Sequence, residues 1–486
     1  MLKVIVTEFN NFLFVKPACL SALSDELTYG HKSFEFSQKE KKRVLTITPR
    51  AVYSYDKDRD TLSVPAGCKT RVLNALKKNN YTVKYSRNVK TPKERKKLEL
   101  DNVDLQELRP EQRELLKQIV ANTHTIGKAA TGAGKSFLIS YICRIYPKAN
   151  IVITTDSVDV IKTLKNYLKN DCGEKVGQVG GGKNHEERIT VCTLKSLHKL
   201  KTLPDILIVD ECHVIGSEAA SAACLTVARN TFKIVGLSAS PGRRPDNAYL
   251  IIESICGPIR ADISYQTSVK NSSVAQLEVE VYENLHGPGE DIIAAFRLQV
   301  DKDRMCIWQN AERNKLLVKL INKKLKKDPD TQILVYTERT EHALCLYKLL
   351  KFLDFKLVCG DNINSDRLES WKSQGLLEDG VVPKMDRKEA LEYFSSGDLR
   401  RIICTRVWQK GVSFPELNIL VRADGSASEI TADQASGRLS RTNDGQKSKA
   451  LVIDIKDTFH GAYHSRFKKR QALYNEQGWP VRECQV

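Results

Sequence analysis

The run Gly127-Lys128-Ala129-Ala130-Thr131-Gly132-Ala133-Gly134-Lys135-Ser136 limits the fold of this chain more than any other feature. It lies between a short apolar stretch and the apolar run Phe137-Leu138-Ile139-Ser140-Tyr141-Ile142, and reads as strand, glycine-containing loop and helix in succession. Such a loop curls backbone N–H groups around phosphate at a helix N-terminus, where the helix dipole favours negative charge. On this reading Thr131, Gly132, Ala133 and Gly134 form the cradle, Lys135 reaches the β and γ phosphates, and Ser136 holds magnesium. Ala129 stands where the common pattern has glycine, while Gly132 and Gly134, nearest the tight curl, are kept. The expected ligands are a nucleoside triphosphate and Mg2+.

A phosphate loop needs a partner that manages metal and water. Ile206-Leu207-Ile208-Val209-Asp210-Glu211-Cys212-His213 supplies one: an apolar strand ends in two adjacent carboxylates at the edge where open α/β sheets bind ligands. Asp210 would hold magnesium through water, and Glu211 would position and deprotonate the attacking water. Taken alone, two carboxylates at a strand end could equally cap a helix.

The surrounding pattern is α/β. Apolar strands are expected at 127–130, 151–154, 190–192, 206–209 and 234–237, with covering helices at 111–121 and 135–146. Strands apolar throughout suit a parallel sheet covered on both faces. A second α/β series follows without its own glycine-rich loop: helix 311–327, strand 332–336, helix 341–352, and strands 401–404, 419–421 and 450–453. Before both lies a small α/β stretch with a basic helical segment at 69–78. The expected organisation is an accessory domain over 1–97, a first nucleotide-binding domain over 98–260, a bridge over 261–310, a second domain over 311–470 and a tail over 471–486. The basic content of the accessory domain reads either as an auxiliary nucleic-acid surface or as a solvated face. The weakly periodic stretch 358–385, with Trp371, is a surface insertion or a functional loop.

Lys plus Arg number 77 against 59 Asp plus Glu, a formal charge of +18, which favours polyanionic partners through counterion release. The 13 cysteines are odd in number and contain no C-x-x-C pair, so neither a disulfide scaffold nor a zinc ribbon is visible. A reducing cytoplasm fits that usage, and no apolar run approaches the roughly 20 residues of a membrane span.

In the second series, Gln434-Ala435-Ser436-Gly437-Arg438-Leu439-Ser440-Arg441 places two arginines three apart on one helix face. They could meet the charge that develops as the terminal phosphate is attacked, as an internal arginine finger; an exposed helix with surface arginines is the other reading. With this segment the chain resembles superfamily 2 helicases and translocases of the Asp-Glu-x-His branch, over about residues 105–456. That resemblance implies two tandem RecA-like parallel-sheet domains behind the accessory domain, and an ATP-hydrolysing enzyme. Within it Leu108-Arg109-Pro110-Glu111-Gln112 looks like the adenine-recognising segment, with Gln112 on the base edge and Arg109 beside it. Ser238-Ala239-Ser240 resembles motif III, and the stretch from Cys404 to Ser413 resembles motif V. The resemblance implies Arg441 as the finger, Arg438 as its helper, and Gln434 in communication with His213. Ser413 stands where many members have Asp and Ser240 where Thr is common.

Motors of this family grip a strand's backbone by hydroxyls, backbone N–H groups and cations. Thr155, Ser157, Thr193, Ser196, Thr337, Arg339 and Thr405 are the expected contacts, with helix capping as the alternative role for each hydroxyl. The layout resembles phage UvsW-type helicases, which implies forked or branched DNA as substrate in recombination, replication or repair, and a host-cell cytoplasm. RNA remodelling, duplex translocation without strand separation, and a non-catalytic nucleic-acid scaffold remain the alternatives.

Overall fold

The computed structural model describes residues 2–37, 42–88, 105, 107–129, 133–242, 246–271, 274–361, 363–377, 380–408, 414, 416–427 and 449–485. Alternation of period two opens the chain. Strands β1 (Lys3–Phe9) and β2 (Phe12–Lys16) bury every second residue, so that one face meets a core and the other meets solvent. After them come β3 (Thr28–Ser37), β4 (Lys42–Ala51), β5 (Ser54–Asp56), β6 (Thr61–Pro65) and β7 (Thr82–Asn88). Five of these form a sheet in the order β5-β6-β2-β1-β7, while β3 and β4 form a separate two-stranded ribbon. The helix Lys69–Lys78 covers the sheet, burying Val72, Ala75 and Leu76 against Val4, Val6, Leu13 and Val64.

The next strands are β8 (His124–Ala129), β9 (Ile151–Thr155), β10 (Val176–Gly180), β11 (Lys183–His185), β12 (Ile189–Thr193), β13 (Ile206–Asp210), β14 (Lys233–Ser238) and β15 (Ile259–Ile263). They form one sheet in the order β11-β10-β12-β9-β13-β14-β8-β15, parallel except for the short edge strand β11. Strands β9, β10, β12 and β14 are buried along their whole length, polar residues such as Gln178 and Lys233 included, as in a sheet covered on both faces. Helices Pro110–Ala121 and Lys135–Ile145 occupy the places their periodicity predicts.

The accessory sheet and this lobe form one unit, Met1–Ala130 with Gly134–Ser264. The side-chain amide of Asn11 donates to the carbonyls of Ala228 and Thr231, and Arg71 meets Glu253 at 2.6 Å. A Cβ on Gly67 would lie 2.3 Å from the Glu253 carbonyl oxygen, an approach only glycine permits. Leu250 of the lobe sits inside the accessory core.

At this seam Glu8 is fully buried and ion-paired with Arg87 at 3.2 Å and Lys69 at 3.4 Å, while accepting from Tyr85. Burial pushes the Glu8 carboxyl up, but the Tyr85 hydrogen bond and the two cations outweigh it and hold it low. Burial pushes His124, at the start of β8, down to about 4 from 6.5. Between those two values the unfolded chain binds a proton that the folded chain refuses, so stability falls as pH falls through that window. Glu8, held low when folded, adds a further loss at more acid pH. The thermal midpoint is therefore expected to be lower near pH ~5 than at neutrality, with a shallower slope in His124→Gln; an identical slope in the variant would rule this histidine out as the cause.

The second unit, Thr131–Ala133 with Tyr265–Val486, carries β16 (Gln276–Asn284), β17 (Ile333–Tyr336), β18 (Lys356–Val358), β19 (Arg401–Cys404), β20 (Ile419–Arg422), β21 (Lys449–Asp457) and β22 (Val481–Cys484). They form a seven-stranded sheet in the order β18-β19-β17-β20-β21-β16-β22, parallel throughout. Helix Ala311–Lys327 begins where the Asn310 side chain accepts from Arg313 N–H. Buried ion pairs tie helices to strand ends: Arg313 to Asp457 at 2.9 Å, and Arg470 of helix Gly461–Gln477 to Asp454 at 2.8 Å. Within 358–385, helix Ser365–Ser373 buries Trp371 in the lobe's core together with Leu377 and Val382. Among the described residues no helix is long and apolar enough to cross a membrane.

Candidate nucleotide site and nucleic-acid surfaces

Strand β8 runs toward the phosphate loop, and the described part of that loop ends in Gly134, whose φ of 83° places it in the left-handed region before helix Lys135–Ile145. The first turn of that helix carries Lys135 and Ser136. Strands β13 and β14 lie side by side in register, Asp210 opposite Leu237, so their ends bring Asp210, Glu211 and Ser238 together.

Lys135 Nζ meets Glu211 Oε1 at 2.5 Å. The other oxygen of Glu211 accepts from Ser238 Oγ at 3.3 Å and lies 3.3 Å from His213 Nδ1. The Ser238 hydroxyl and His213 Nδ1 are 2.9 Å apart, and Ser238 Oγ also accepts from the Ser240 N–H at 3.2 Å. Ser238 is thus the junction of the cluster, a part its place in a Ser-Ala-Ser triplet did not disclose. Glu211 has a φ of 52°. A non-glycine residue in this region is strained, and such residues cluster where function needs a fixed geometry.

The electrostatics of the two carboxylates diverge. Burial pushes Glu211 up, but the charge of Lys135 and the His213 contact outweigh it and hold the carboxyl well below its usual range. Burial and the adjacent Glu211 charge push Asp210 up. Asp210 accepts from the Glu211 N–H at 3.1 Å and has no ion pair of its own among the described residues. A partly buried carboxylate in that state suits a bound cation.

Arg109 and Gln112 lie beside Gly134. Gln112 is buried and its Oε1 accepts from the Arg109 N–H at 3.0 Å, fixing the amide against the loop. A Cβ built on Gly134 would lie 2.5 Å from Gln112 Nε2 and 3.4 Å from Arg109 Nη2. One buried guanidinium nitrogen of Arg109, Nη1, has no hydrogen-bond partner among the described residues, as a ligand-facing donor would. Gly134→Ala would force both a left-handed alanine and a displaced Gln112. It is expected to cost ~1–2 kcal/mol, roughly tenfold in nucleotide affinity. Titration with a fluorescent nucleotide checks this, and unchanged affinity would show that the loop tolerates a side chain there.

The expected strand contacts lie after carboxyl ends of parallel strands. Thr155 ends β9 and Thr193 ends β12, paired in register. Their hydroxyls are engaged internally: Thr155 Oγ1 accepts from Ser157 N–H at 3.3 Å, and Thr193 Oγ1 donates to Ser196 Oγ at 2.8 Å. Ser157 caps helix Val158–Cys172, the alternative role open to it from sequence. In the second unit Thr337 donates to the carbonyls of Cys404 and Arg339. Arg339 and Thr405 line one groove of about 400 Å³ with Arg304, Arg367, Arg406 and Trp371. Thr131, Gly132, Ser413, Gln434, Arg438 and Arg441 lie outside the described residues; Ala133 immediately precedes Gly134 in the chain.

Two families match the sequence: the type III restriction enzyme res subunit over residues 105–243, and the helicase conserved C-terminal domain over residues 312–443. The DNA 3'-5' translocase XPB2 of Sulfurisphaera tokodaii is 23% identical over 386 residues, covering 72% of this chain and 81% of that one. Saccharomyces cerevisiae Dbp5 bound to RNA and ADP BeF3 superposes with a TM-score of 0.51 at 14% identity, over 76% of this chain and 89% of that one. T4 UvsW aligns over 100% of this chain and 99% of that one at 15% identity, with a TM-score of 0.43. With one family match over the phosphate loop and Asp210–Glu211 and the other over strands β17 to β20 of the second sheet, the chain belongs to the superfamily 2 ATP-dependent helicases and translocases.

Proposed function

We propose that this protein is an ATP-driven DNA helicase acting at forked or branched junctions. The observation that carries the chemical part is the Lys135–Glu211 ion pair, held in place by His213 and Ser238. A lysine at a helix N-terminus and a carboxylate at a neighbouring strand end are the two groups that a triphosphate and its attacking water require. In the structure the two neutralise each other. Phosphate oxygens competing for Lys135 would leave Glu211 without its strongest cation, and the carboxylate then becomes the better base. Ser238 and His213 keep it aimed while its partner changes.

Ser136 and Asp210 would hold magnesium, which when bound supplies positive charge to the terminal phosphates. Among the described residues no group of three or more His, Cys, Asp or Glu is arranged to hold a metal ion by itself. That fits an ion held by one carboxylate, one hydroxyl and phosphate oxygens, and does not fit an all-protein cage. Arg109 and Gln112 would position the base. Arg438 and Arg441 are assigned to meeting the charge that develops on the phosphate, and Gln434 to communication with His213.

For the polymer, the +18 charge supports a polyanion, and the relative matched over 72% of this chain is named a DNA translocase. Arg339 and Thr405, in a groove lined also by Arg304, Arg367, Arg406 and the carboxylates Glu338, Glu341 and Asp366, would supply phosphate contacts on the second unit. ATP hydrolysis measured without polymer, with single-stranded DNA, with forked DNA and with RNA tests the reading. Strongest stimulation by forks, with strand separation, is expected. Stimulation by RNA alone would reassign the substrate, and binding without turnover would reduce the protein to a scaffold.

A further inference from the structure

The ribbon of β3 and β4 carries its side chains the opposite way from a strand pair that covers a core. Its register pairs Phe34 with Leu45 and Lys32 with Ile47, which sets these four on one face. Phe34 is 69% exposed, Leu45 47% and Ile47 59%, whereas Ser33, Thr46 and Thr48 on the opposite face are half-buried. Three bulky apolar side chains side by side on an open ribbon invite a partner, since proteins normally protect such ribbons with charge or cover.

The base of the ribbon is fixed. Val52 N–H donates to the Leu27 carbonyl at 2.9 Å, and Tyr29 packs against the accessory core. The Lys32 N–H donates to the Asp246 carbonyl at 3.1 Å, and the Asn247 side chain donates to the Gly30 carbonyl at 3.2 Å. Asp246 and Asn247 follow the Ser238-Ala239-Ser240 segment, whose first serine touches Glu211 and His213. The ribbon is therefore anchored to a part of the first lobe that follows the nucleotide cluster closely in sequence.

Charge points to the class of partner. Residues 28–51 hold six basic side chains against two acidic ones, a formal +4, so the apolar face sits in a segment that attracts polyanions. Phe, Leu and Ile are also the side chains that wedge between stacked bases and unstack them. We propose that the face formed by Phe34, Leu45 and Ile47 is the strand-separating pin of this motor, taking the terminal base pair at the junction of a nucleic-acid duplex. The proposal rests on the ATP-driven helicase reading and assigns the accessory domain a task within it.

The test is the full-length triple variant Phe34→Ala, Leu45→Ala, Ile47→Ala, with a forked DNA carrying 2-aminopurine at the first paired position. Wild type is expected to raise the 2-aminopurine fluorescence on binding and the variant is not. The variant's unwinding rate should fall about tenfold or more, since a base stacked on an aromatic ring is lost. Its hydrolysis on single-stranded DNA should stay within about twofold, because exposed side chains far from special features change little else. Phe34→Ala alone repeats the test should the triple variant have a lowered thermal midpoint. Unwinding within about twofold of wild type, with the fluorescence rise intact, overturns the proposal. A wild type that scatters light as a dimer beside a monomeric variant also overturns it, in favour of self-association. A wild type that hydrolyses ATP on DNA without separating strands removes the pin alone, whereas one that no nucleic acid stimulates removes the motor reading and the pin with it.

Discussion

Glu211→Gln is expected to lower kcat for ATP hydrolysis by ~10²–10⁴-fold, the usual share of a positioned general base, while nucleotide binding persists. The amide keeps the shape of the carboxylate and can still meet Ser238 and His213, so the cluster holds together. What it loses is the charge that takes a proton from water and the ion pair with Lys135. Freed of that pair, Lys135 is more available to phosphate, and nucleotide affinity should hold or rise. Single-turnover hydrolysis beside an equilibrium titration separates the two quantities. Undiminished hydrolysis would place the base elsewhere.

Lys135→Ala should fail differently. Removing one preorganised cation from a charged transition state costs ~10²–10³ in kcat, and here the same side chain is expected to bind the ground-state phosphates, so affinity falls as well. Glu211 would also lose the cation that does most to keep its carboxyl ionised against burial. Nucleic-acid binding without nucleotide should be largely unchanged, because the proposed polymer contacts are distinct from the phosphate cradle. Wild-type turnover in this variant would sink the assignment of the loop.

The parts legible in sequence were those whose signals are local. Helices 69–78 and 311–327 and strand 401–404 have in the structure the bounds read from periodicity and charge. Strand β16 was not legible: Glu278 and Glu280 alternate with Leu277, Val279 and Val281, which breaks the apolar run expected of a parallel strand. Its glutamates are satisfied by Lys449, Arg482 and Lys324, partners distant in sequence. Helix Gly461–Gln477 was hidden for a related reason, since part of what it buries is Arg470, whose charge disguises a core position. In the site, motif spacing foretold that Lys135 and Glu211 would share it. The left-handed backbone at Glu211 and the hydroxyl of Ser238 as the cluster's junction depend on two strands lying in register, which no local pattern encodes. The strand-contact hydroxyls were open to two readings in sequence, a ligand role and a helix cap; Ser157 caps a helix, and Thr193 and Ser196 bond to each other.

A structure of the protein with a non-hydrolysable ATP analogue, magnesium and forked DNA tests the exchange at Lys135 most directly. The expected result is Lys135 Nζ on β and γ phosphate oxygens, with Glu211 released from it and hydrogen-bonded to a water near the terminal phosphorus. A triphosphate bound while Lys135 stays on Glu211 would contradict the account.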